Sequence, residues 1–117
     1  MVEGYIPRRG DVVMLDFDPQ VGHEHSGRRP ALVLSPSAYN GKVGLFVCCP
    51  ITNEEKGYPF EVKIPPGLKV TGVVLSDQMK SLDWRERAAE YRCAIPHEVT
   101  SDVLRNVARI LTTSLTD

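Results

Sequence analysis

The segment Gly44-Leu45-Phe46-Val47-Cys48-Cys49-Pro50-Ile51-Thr52 is an apolar run that starts at a glycine and ends before a polar turn. A short apolar run between turn-forming residues is typical of a buried strand, so we predict a strand over 44–49 with Thr52 near its end. Successive side chains of a strand point to opposite faces, which separates Cys48 from Cys49 and argues against a disulfide framework. The chain has three cysteines, and we expect buried free thiols.

Similar short segments account for most of the chain before residue 96. Each is rich in β-branched or apolar residues and is bounded by Gly, Pro or Asn. The conformational preferences of Asn40-Gly41 and Pro65-Pro66-Gly67 predict turns at these positions. Six short strands with turns at this spacing indicate a mainly β fold, either a small barrel or a sandwich. The predicted strands cover 11–17, 31–35, 44–49, 60–64, 72–75 and 87–94.

From Pro96 onward the hydrophobic pattern becomes helical. Proline suits the first turn of a helix, and the apolar residues that follow recur every three or four positions. These residues are Val99, Val103, Leu104, Val107, Ile110, Leu111 and Leu115. We predict a C-terminal amphipathic helix that packs on the β domain, and contact with a partner or a second copy is the alternative.

The composition limits the class of protein. At 117 residues and 42% hydrophobic content the chain supports one core, and we expect a single domain over 1–117. The N-terminal part is charged and lacks the apolar stretch of a secretory signal, and no segment approaches the ~20 apolar residues of a membrane span. We therefore expect a cytoplasmic protein with no membrane contact. Because 14 Lys+Arg balance 15 Asp+Glu, nucleic acid would bind only at a local basic patch.

The segment Gly22-His23-Glu24-His25-Ser26-Gly27-Arg28-Arg29-Pro30 carries five ionisable side chains. Glycine permits tight turns, so the segment is predicted to be a surface loop that enters the strand at 31–35. Glu24 can accept a proton, histidines titrate near neutral pH, and guanidinium groups match phosphate oxygens. This set suits phosphodiester chemistry, and an ordinary solvated loop is the alternative.

Arg29 and Thr52 are expected to lie close together. If the strands that start near Pro30 and Gly44 pair as an antiparallel hairpin, the start of the first lies beside the end of the second. A hydroxyl group and a guanidinium group on one rim can hold a phosphate. As an alternative, Thr52 is only a turn residue. No set of His, Cys, Asp or Glu has the spacing of metal ligands, so we predict no metal and no cofactor.

Several further motifs follow one another along nearly the whole chain. They are Gly10-Asp11, Asp16-Phe17-Asp18-Pro19, Gly22-x-Glu24-x-x-Gly27-x-Arg29-Pro30, Val33-Leu34-Ser35-Pro36, Tyr39-Asn40, Pro50-x-Thr52, Lys56-Gly57-Tyr58-Pro59-Phe60-Glu61-Val62 and Asp77-Gln78-x-Lys80-Ser81-x-x-Trp84-Arg85. Their ordered sum resembles the MazF/PemK/Kid toxins of bacterial toxin–antitoxin systems. The MazF branch is the more similar one, because of the Glu-containing loop and the segment 57–62.

The resemblance implies an SH3-like small β-barrel with short helices and a C-terminal amphipathic helix, working as a homodimer. It implies a ribosome-independent endoribonuclease that cleaves single-stranded mRNA and is bound by a MazE-like antitoxin. It also implies an active site formed by Arg29 and Thr52, with the loop 22–28 gating the groove. The RNA-binding residues that we assign with it are His23, Ser26, Gly27, Arg28, Asn40, Lys56, Asp77, Gln78, Lys80 and Ser81.

The proton-transfer groups are assigned from chemistry. RNA cleavage without a metal uses the 2′-hydroxyl as an internal nucleophile, so its proton must be removed and the leaving 5′-oxygen protonated. Arg29 suits stabilisation of the phosphorane, and Thr52 adds one hydrogen bond. A guanidinium group effectively never deprotonates, so we expect Glu24, then His25, to transfer protons. A bound water, or a role of both residues only in positioning the loop, is the alternative.

Trp84 either stacks on a base or packs in the core or the dimer interface. Asp77 either contacts substrate or accepts a local hydrogen bond.

Two other functions compete with cleavage. A non-enzymatic CcdB-type toxin, which binds gyrase, relies on a C-terminal Trp-Gly-Ile, whereas this chain ends Thr113-Ser114-Leu115-Thr116-Asp117. A single-stranded RNA-binding barrel needs stacking aromatic residues along its groove, but aromatic residues make up only 7% of the chain.

Overall fold

The computed structural model describes residues 4–17 and 27–113. Within them the chain forms strands, two α-helices and one 3-10 turn. The strands are β1 (Asp11–Asp16), β2 (Arg28–Val33), β3 (Leu45–Thr52), β4 (Glu61–Lys63), β5 (Val73–Leu75), β6 (Lys80–Asp83) and β7 (Glu90–Ala94). The helices are α1 (Ser37–Val43) and α2 (His97–Thr112), and the 3-10 turn is Ser76–Gln78.

The strands pair antiparallel in the order β4-β5-β3-β2-β1-β7, and β6 also pairs with β3. One edge of β3 pairs with β2. Its other edge pairs first with β6, over Leu45–Cys48, and then with β5, at Ile51 and Thr52. Pro50 lies next to this change of partner, where its lack of a backbone N–H removes one possible ladder hydrogen bond. β3 is therefore the strand around which the sheet is organised.

The sheet is buried on both faces. On the first face, which we call the α2 face, Val99, Val103 and Val107 of the helix pack with strand residues that include Leu32 and Cys49. On the second face, which we call the Phe46 face, Phe46 and Trp84 pack with strand residues that include Leu15, Val33 and Cys48. The alternation of side chains along each strand accounts for this division, since neighbours in sequence enter different clusters.

The expectation of a mainly β fold with a C-terminal amphipathic helix is confirmed. In the described ranges the strand pairings form an open path, so closure into an SH3-like barrel stays a prediction. The placement of Cys48 and Cys49 on opposite faces is confirmed, and both are fully buried free thiols. Neither helix within residues 4–17 and 27–113 is long and apolar enough to cross a membrane.

Three local expectations are wrong. Asn40-Gly41 lies inside α1 and does not form a separate turn. The strand predicted over 87–94 begins only at Glu90, because residues 84–88 form a turn that follows the unpredicted strand β6. β2 begins at Arg28, so the two arginines belong to the strand and do not lie in the loop before it.

Candidate active site

Arg29 and Thr52 lie at neighbouring ends of the paired strands β2 and β3. β2 and β3 pair with Ala31 opposite Pro50 and Leu32 opposite Cys49. The β2–β3 ladder ends at Ala31 and Pro50, and the same antiparallel register continued for two residues would bring Arg29 opposite Thr52. The hairpin expected from the sequence is present, and the proximity of Arg29 and Thr52 at its end stays a prediction.

The same residues share a face of the sheet. Arg29 is directly opposite Leu15 of β1, and Leu15 packs on the Phe46 face. Residues that lie directly opposite each other project to the same side, so Arg29 projects from the Phe46 face as well. Lys80 is opposite Cys48, which also packs on that face. Thr52 follows Cys48 by an even number of residues and shares its side. α2 covers the other face, so Arg29, Thr52 and Lys80 all project away from the helix. We call the end of the sheet with Arg29 and Thr52 the rim.

Arg28 projects to the opposite side of β2. Its guanidinium group forms ion pairs with Asp16 at 3.2 Å and with Glu90 at 3.0 Å. It also donates hydrogen bonds to the carbonyl oxygens of Met14, at 3.0 Å, and Ala88, at 2.7 Å. Arg28 therefore joins β1, β2 and β7 and does not lie beside Arg29. The expectation that Arg28 contacts RNA stays a prediction, and in the structure its guanidinium group connects these strands.

Gly72 keeps the end of β3 in place and was missed by sequence reasoning. Its φ of +112° favours glycine, and a Cβ atom added there would lie 2.2 Å from the carbonyl oxygen of Thr52. On the same side, the Thr71 hydroxyl donates a hydrogen bond to the side-chain oxygen of Asn53 at 2.8 Å. The Thr52 hydroxyl oxygen accepts a hydrogen bond from the backbone N–H of Glu54 at 3.1 Å. The rotamer of Thr52 is thus set by its own turn, which leaves the hydroxyl proton available to a ligand.

Lys56 lies in the exposed loop between β3 and β4. The loop is ordered by Glu61, the first residue of β4, whose carboxylate accepts hydrogen bonds from the backbone N–H groups of Lys56 and Gly57. Close by, Lys63 and Glu55 form an ion pair at 3.4 Å. The motif Gly57-Tyr58-Pro59-Phe60-Glu61 indicates this arrangement only weakly, because nothing in the spacing of the residues shows that the carboxylate turns back on the loop.

Asp77, Gln78 and Ser81 are exposed, but they are not grouped with Arg29. Ser81 is opposite Val47, which packs against the α2 face, so it projects away from its neighbour Lys80. The carboxylate of Asp77 lies close enough to Cys49, another α2-face residue, to add to the burial that raises the pKa of that thiol. The predicted RNA contacts are therefore divided between the two faces at this edge.

Asn40 is buried, and the expectation that it contacts RNA is corrected. The side-chain amide donates hydrogen bonds to the carbonyl oxygens of Pro7 and Ser35, both at 2.9 Å. Its oxygen accepts a hydrogen bond from the Ser35 hydroxyl at 2.6 Å. Its backbone oxygen accepts one from the indole N–H of Trp84 at 3.0 Å. Every polar group of the Asn40 side chain is used inside the protein.

Trp84 belongs to the core, which is one of the roles predicted for it from the sequence. The side chain is 6% exposed and packs with the Phe46 cluster. The guanidinium carbon of Arg85 lies 4.6 Å from the centre of the ring. A base therefore has no access to the ring plane, and Arg85 contributes its positive charge at the surface above it.

His23, Glu24, His25 and Ser26 lie outside the described residues. Gly27 is half-buried, and an added Cβ would meet no atom within 4 Å. The chain on the β1 side of this loop is held by Arg87, whose guanidinium group donates hydrogen bonds to the backbone oxygens of Asp16 and Phe17. Within residues 4–17 and 27–113 no group of three His, Cys, Asp or Glu side chains could hold a metal ion.

Known proteins share this fold and sequence. A family profile described as PemK-like, MazF-like toxin of type II toxin-antitoxin system matches residues 8–111. Endoribonuclease toxin MazF of Escherichia coli strain K12 is 48% identical over 98 residues, which are 84% of this chain and 87% of that protein. Endoribonuclease PemK of Escherichia coli is 33% identical over 108 residues, which are 89% of this chain and 81% of that protein.

Solved structures agree with the sequence comparison. A crystal structure of MazE-MazF from Deinococcus radiodurans matches with a TM-score of 0.88 and 53% sequence identity, over 94% of this chain and 99% of that chain. A crystal structure of MazF from the same organism matches with a TM-score of 0.84 over 92% of this chain and 97% of that chain. The chain belongs to the family of PemK-like, MazF-like toxins of type II toxin–antitoxin systems.

Proposed function

We propose that the chain is a metal-independent, sequence-specific endoribonuclease that cleaves single-stranded mRNA at the rim formed by Arg29 and Thr52. The observation that carries the proposal is the antiparallel register of β2 and β3, which, continued past their ladder, sets the Arg29 guanidinium group opposite the Thr52 hydroxyl group on the Phe46 face. The relatives named endoribonucleases support the type of reaction.

In the proposed reaction the RNA 2′-hydroxyl oxygen attacks the adjacent phosphorus while its proton passes to a base. The new O–P bond forms as the bond to the 5′-oxygen breaks, and that oxygen receives a proton, so the products are a 2′,3′-cyclic phosphate and a 5′-hydroxyl. Arg29 presents paired N–H donors that match two nonbridging oxygens of the phosphorane. Thr52 donates one further hydrogen bond. Glu24, or His25, transfers the protons.

Single-stranded RNA is read through base edges and backbone contacts. Lys80 lies on the same face as Arg29 and Thr52 and supplies a second cation for the phosphate backbone. Lys56 follows Thr52 in the loop that leaves β3, so it is well placed to contact the nucleotides beside the cut. Asp77, Gln78 and Ser81 stay proposed contacts for RNA that passes round the edge of the sheet.

In this proposal the protein works as a homodimer in the cytoplasm, and the MazE-MazF structure of the relative supports neutralisation by a MazE-like antitoxin. The overall charge is −1, but Arg29, Lys56 and Lys80 supply cations near the rim, whereas Arg85 lies beside Gly44 at the other end of β3. An acidic antitoxin segment that folds across this rim would exclude RNA from it. Binding of that segment should weaken with salt, because salt screens exposed charges.

Cleavage of one long mRNA in excess EDTA tests the reaction, with mapping of the new 5′ ends to identify the sequence that is cut. A matched substrate with 2′-deoxyribose only at the cut site should resist cleavage, because it lacks the internal nucleophile. RNA binding without cleavage, or gyrase inhibition without RNA binding, would replace the proposal with one of its two rivals. Efficient cutting of the deoxy substrate would require an activated water instead.

A further inference from the structure

The Glu61 carboxylate closes the loop that carries Lys56. Its Oε1 atom accepts hydrogen bonds from the backbone N–H groups of Lys56, at 3.2 Å, and Gly57, at 2.8 Å. Its Oε2 atom accepts from the N–H of Lys56 at 3.0 Å. Two successive backbone N–H groups that point at one anion form a concave anion-binding turn, and the φ of +82° at Gly57 belongs to such a turn. Hydrogen bonds of this kind are stronger than those between neutral groups.

The rest of Glu61 is fixed to the sheet. Its backbone N–H donates to the carbonyl oxygen of Tyr58 at 3.1 Å, which closes the turn 58–61. As the first residue of β4 it pairs with Leu75 of β5. Immediately before it, the carbonyl oxygen of Phe60 accepts a hydrogen bond from the N–H of Ser76 at 3.1 Å. The carboxylate therefore connects an exposed loop to a paired strand, and it fixes the backbone of Lys56 relative to the sheet.

We propose that Glu61 is a positioning residue for RNA binding: it holds the Lys56–Gly57 turn so that the Lys56 ammonium group is presented to the RNA backbone. The inference rests on the proposed function, because it needs RNA at this rim. A lysine on a turn that is already ordered loses less conformational entropy on binding than one on a free loop. Glu61 itself does not touch the RNA.

The negative charge of Glu61 makes the inference sharply testable. Removal of a carboxylate near an RNA-binding surface should by itself strengthen binding, because repulsion between the carboxylate and the phosphates is lost. If Glu61 positions the turn, Glu61→Ala should instead weaken RNA binding, because it removes all three hydrogen bonds to the turn. Glu55→Ala is the matched control, since it removes a carboxylate from the same loop that pairs only with the Lys63 side chain among the described residues.

The experiment measures the Kd of the full protein for an RNA with 2′-deoxyribose at the cut site, and kcat and KM for the normal RNA. Glu61→Ala should raise Kd and KM by about 3- to 10-fold with little change in kcat. Glu61→Gln keeps one acceptor oxygen and should show a smaller rise. Glu55→Ala should leave Kd unchanged or lower it.

A double-mutant cycle with Lys56→Ala separates positioning from general destabilisation. If Glu61 acts through Lys56, the Kd of the double variant should equal that of Lys56→Ala alone. Additive effects, or no effect of Glu61→Ala and Glu61→Gln, would overturn the inference while cleavage by the unmodified protein still supports the proposed function. If the unmodified protein neither binds nor cleaves RNA, the proposed function fails and the inference with it. Thermal unfolding confirms which variants are folded, and Glu61→Gln serves if the alanine variant is not.

Discussion

Arg28 and Arg29 are adjacent in sequence but project to opposite faces of β2. Arg29 is opposite Leu15 of the Phe46 face, whereas Arg28 binds Asp16 and Glu90 on the other side. A single strand position thus separates a residue that can meet a phosphate from one whose donors are engaged within the protein. The two guanidinium groups, both expected at the RNA site, therefore lie in different surroundings.

Replacement of the two arginines should therefore give different results. Arg29→Ala should reduce cleavage by at least about 100-fold, since it removes the main electrostatic stabilisation of the phosphorane, with unfolding free energy changed by less than about 0.5 kcal/mol. Arg28→Ala should keep most of the cleavage activity but lower the unfolding free energy by about 1–2 kcal/mol, because exposed ion pairs are weak and its two carbonyl contacts add modestly. Urea denaturation and a cleavage time course check both. Near-normal cleavage by Arg29→Ala would contradict the assigned site.

The Thr52 hydroxyl should contribute less than Arg29. Thr52→Val removes the hydrogen bond to the phosphate and the one accepted from Glu54, while the shape of the side chain is kept. We expect cleavage to fall by roughly 10- to 100-fold, because one hydrogen bond to a charged group is worth about 1.5–3 kcal/mol in the transition state. Thr52→Ser should retain most activity. If the serine and valine variants are equally impaired, the methyl group and not the hydroxyl is what matters.

Gly72 and Gly57 both have positive φ, but only Gly72 lies against other atoms. Gly72→Ala places Cβ against the carbonyl oxygen of Thr52, so backbone strain and a clash add, and we expect a loss of about 3 kcal/mol or more. At Gly57 an added Cβ meets no atom within 4 Å, so Gly57→Ala should cost only about 1–2 kcal/mol for the left-handed conformation. Equal losses of unfolding free energy in the two variants would contradict the close approach at Gly72.

Asn40 should matter for stability and not for RNA affinity. Asn40→Ala leaves the Ser35 hydroxyl and the carbonyl oxygens of Pro7 and Ser35 without their partners in a buried site. Since each buried group without a hydrogen bond costs about 1–3 kcal/mol, we expect a total loss of at least about 3 kcal/mol. RNA affinity, measured at a temperature where the variant is folded, should be unchanged. A specific loss of affinity without loss of stability would restore the original expectation.

The two buried cysteines should be unreactive in the folded protein. Burial raises the pKa of Cys48 and of Cys49 from 9.0 to about 12, so neither forms thiolate near neutral pH. In a Cys93→Ala background a thiol reagent at pH 8 should label them only after unfolding in guanidinium. The unfolded chain releases these thiol protons at a lower pH than the folded protein does. The contribution of the two cysteines to the free energy of unfolding is therefore fully present below pH 9 and is lost as the pH rises from 9 towards 12. Rapid labelling of the folded protein would contradict their burial.

Much of the fold follows from local patterns. The alternating or continuous apolar segments locate β1, β3, β4 and β5, and the helical spacing after Pro96 locates α2, because these elements bury a face that must be apolar. β6 was missed since Lys80 and Ser81 are exposed and only β3 pairing defines the strand. α1 was missed because Asn40-Gly41 suggests a turn, whereas burial of Asn40 and its tertiary hydrogen bonds stabilise a helix there.

The candidate site was only partly predictable. The hairpin argument predicts that Arg29 and Thr52 lie together because the start of one antiparallel strand lies beside the end of the other, and the structure has that hairpin. The roles of Arg28, Asn40 and Glu61 depend on contacts with Glu90, Pro7 and the Lys56–Gly57 turn. Contacts with distant strands or across a folded-back loop leave no spacing in the sequence. The family resemblance assigned RNA binding to Arg28 and Asn40, and it assigned no role to Glu61.

The pairing of β1 with β7 has a consequence for synthesis of the toxin. Asp11 pairs with Ala94, and α2, which covers one face of the sheet, follows directly after β7. Arg29 and Thr52 leave the ribosome early, but the outer edge of β1 and the apolar α2 face are closed only by the last third of the chain. We therefore expect a nascent chain to stay unable to cut the message that encodes it until β7 and α2 have been synthesised.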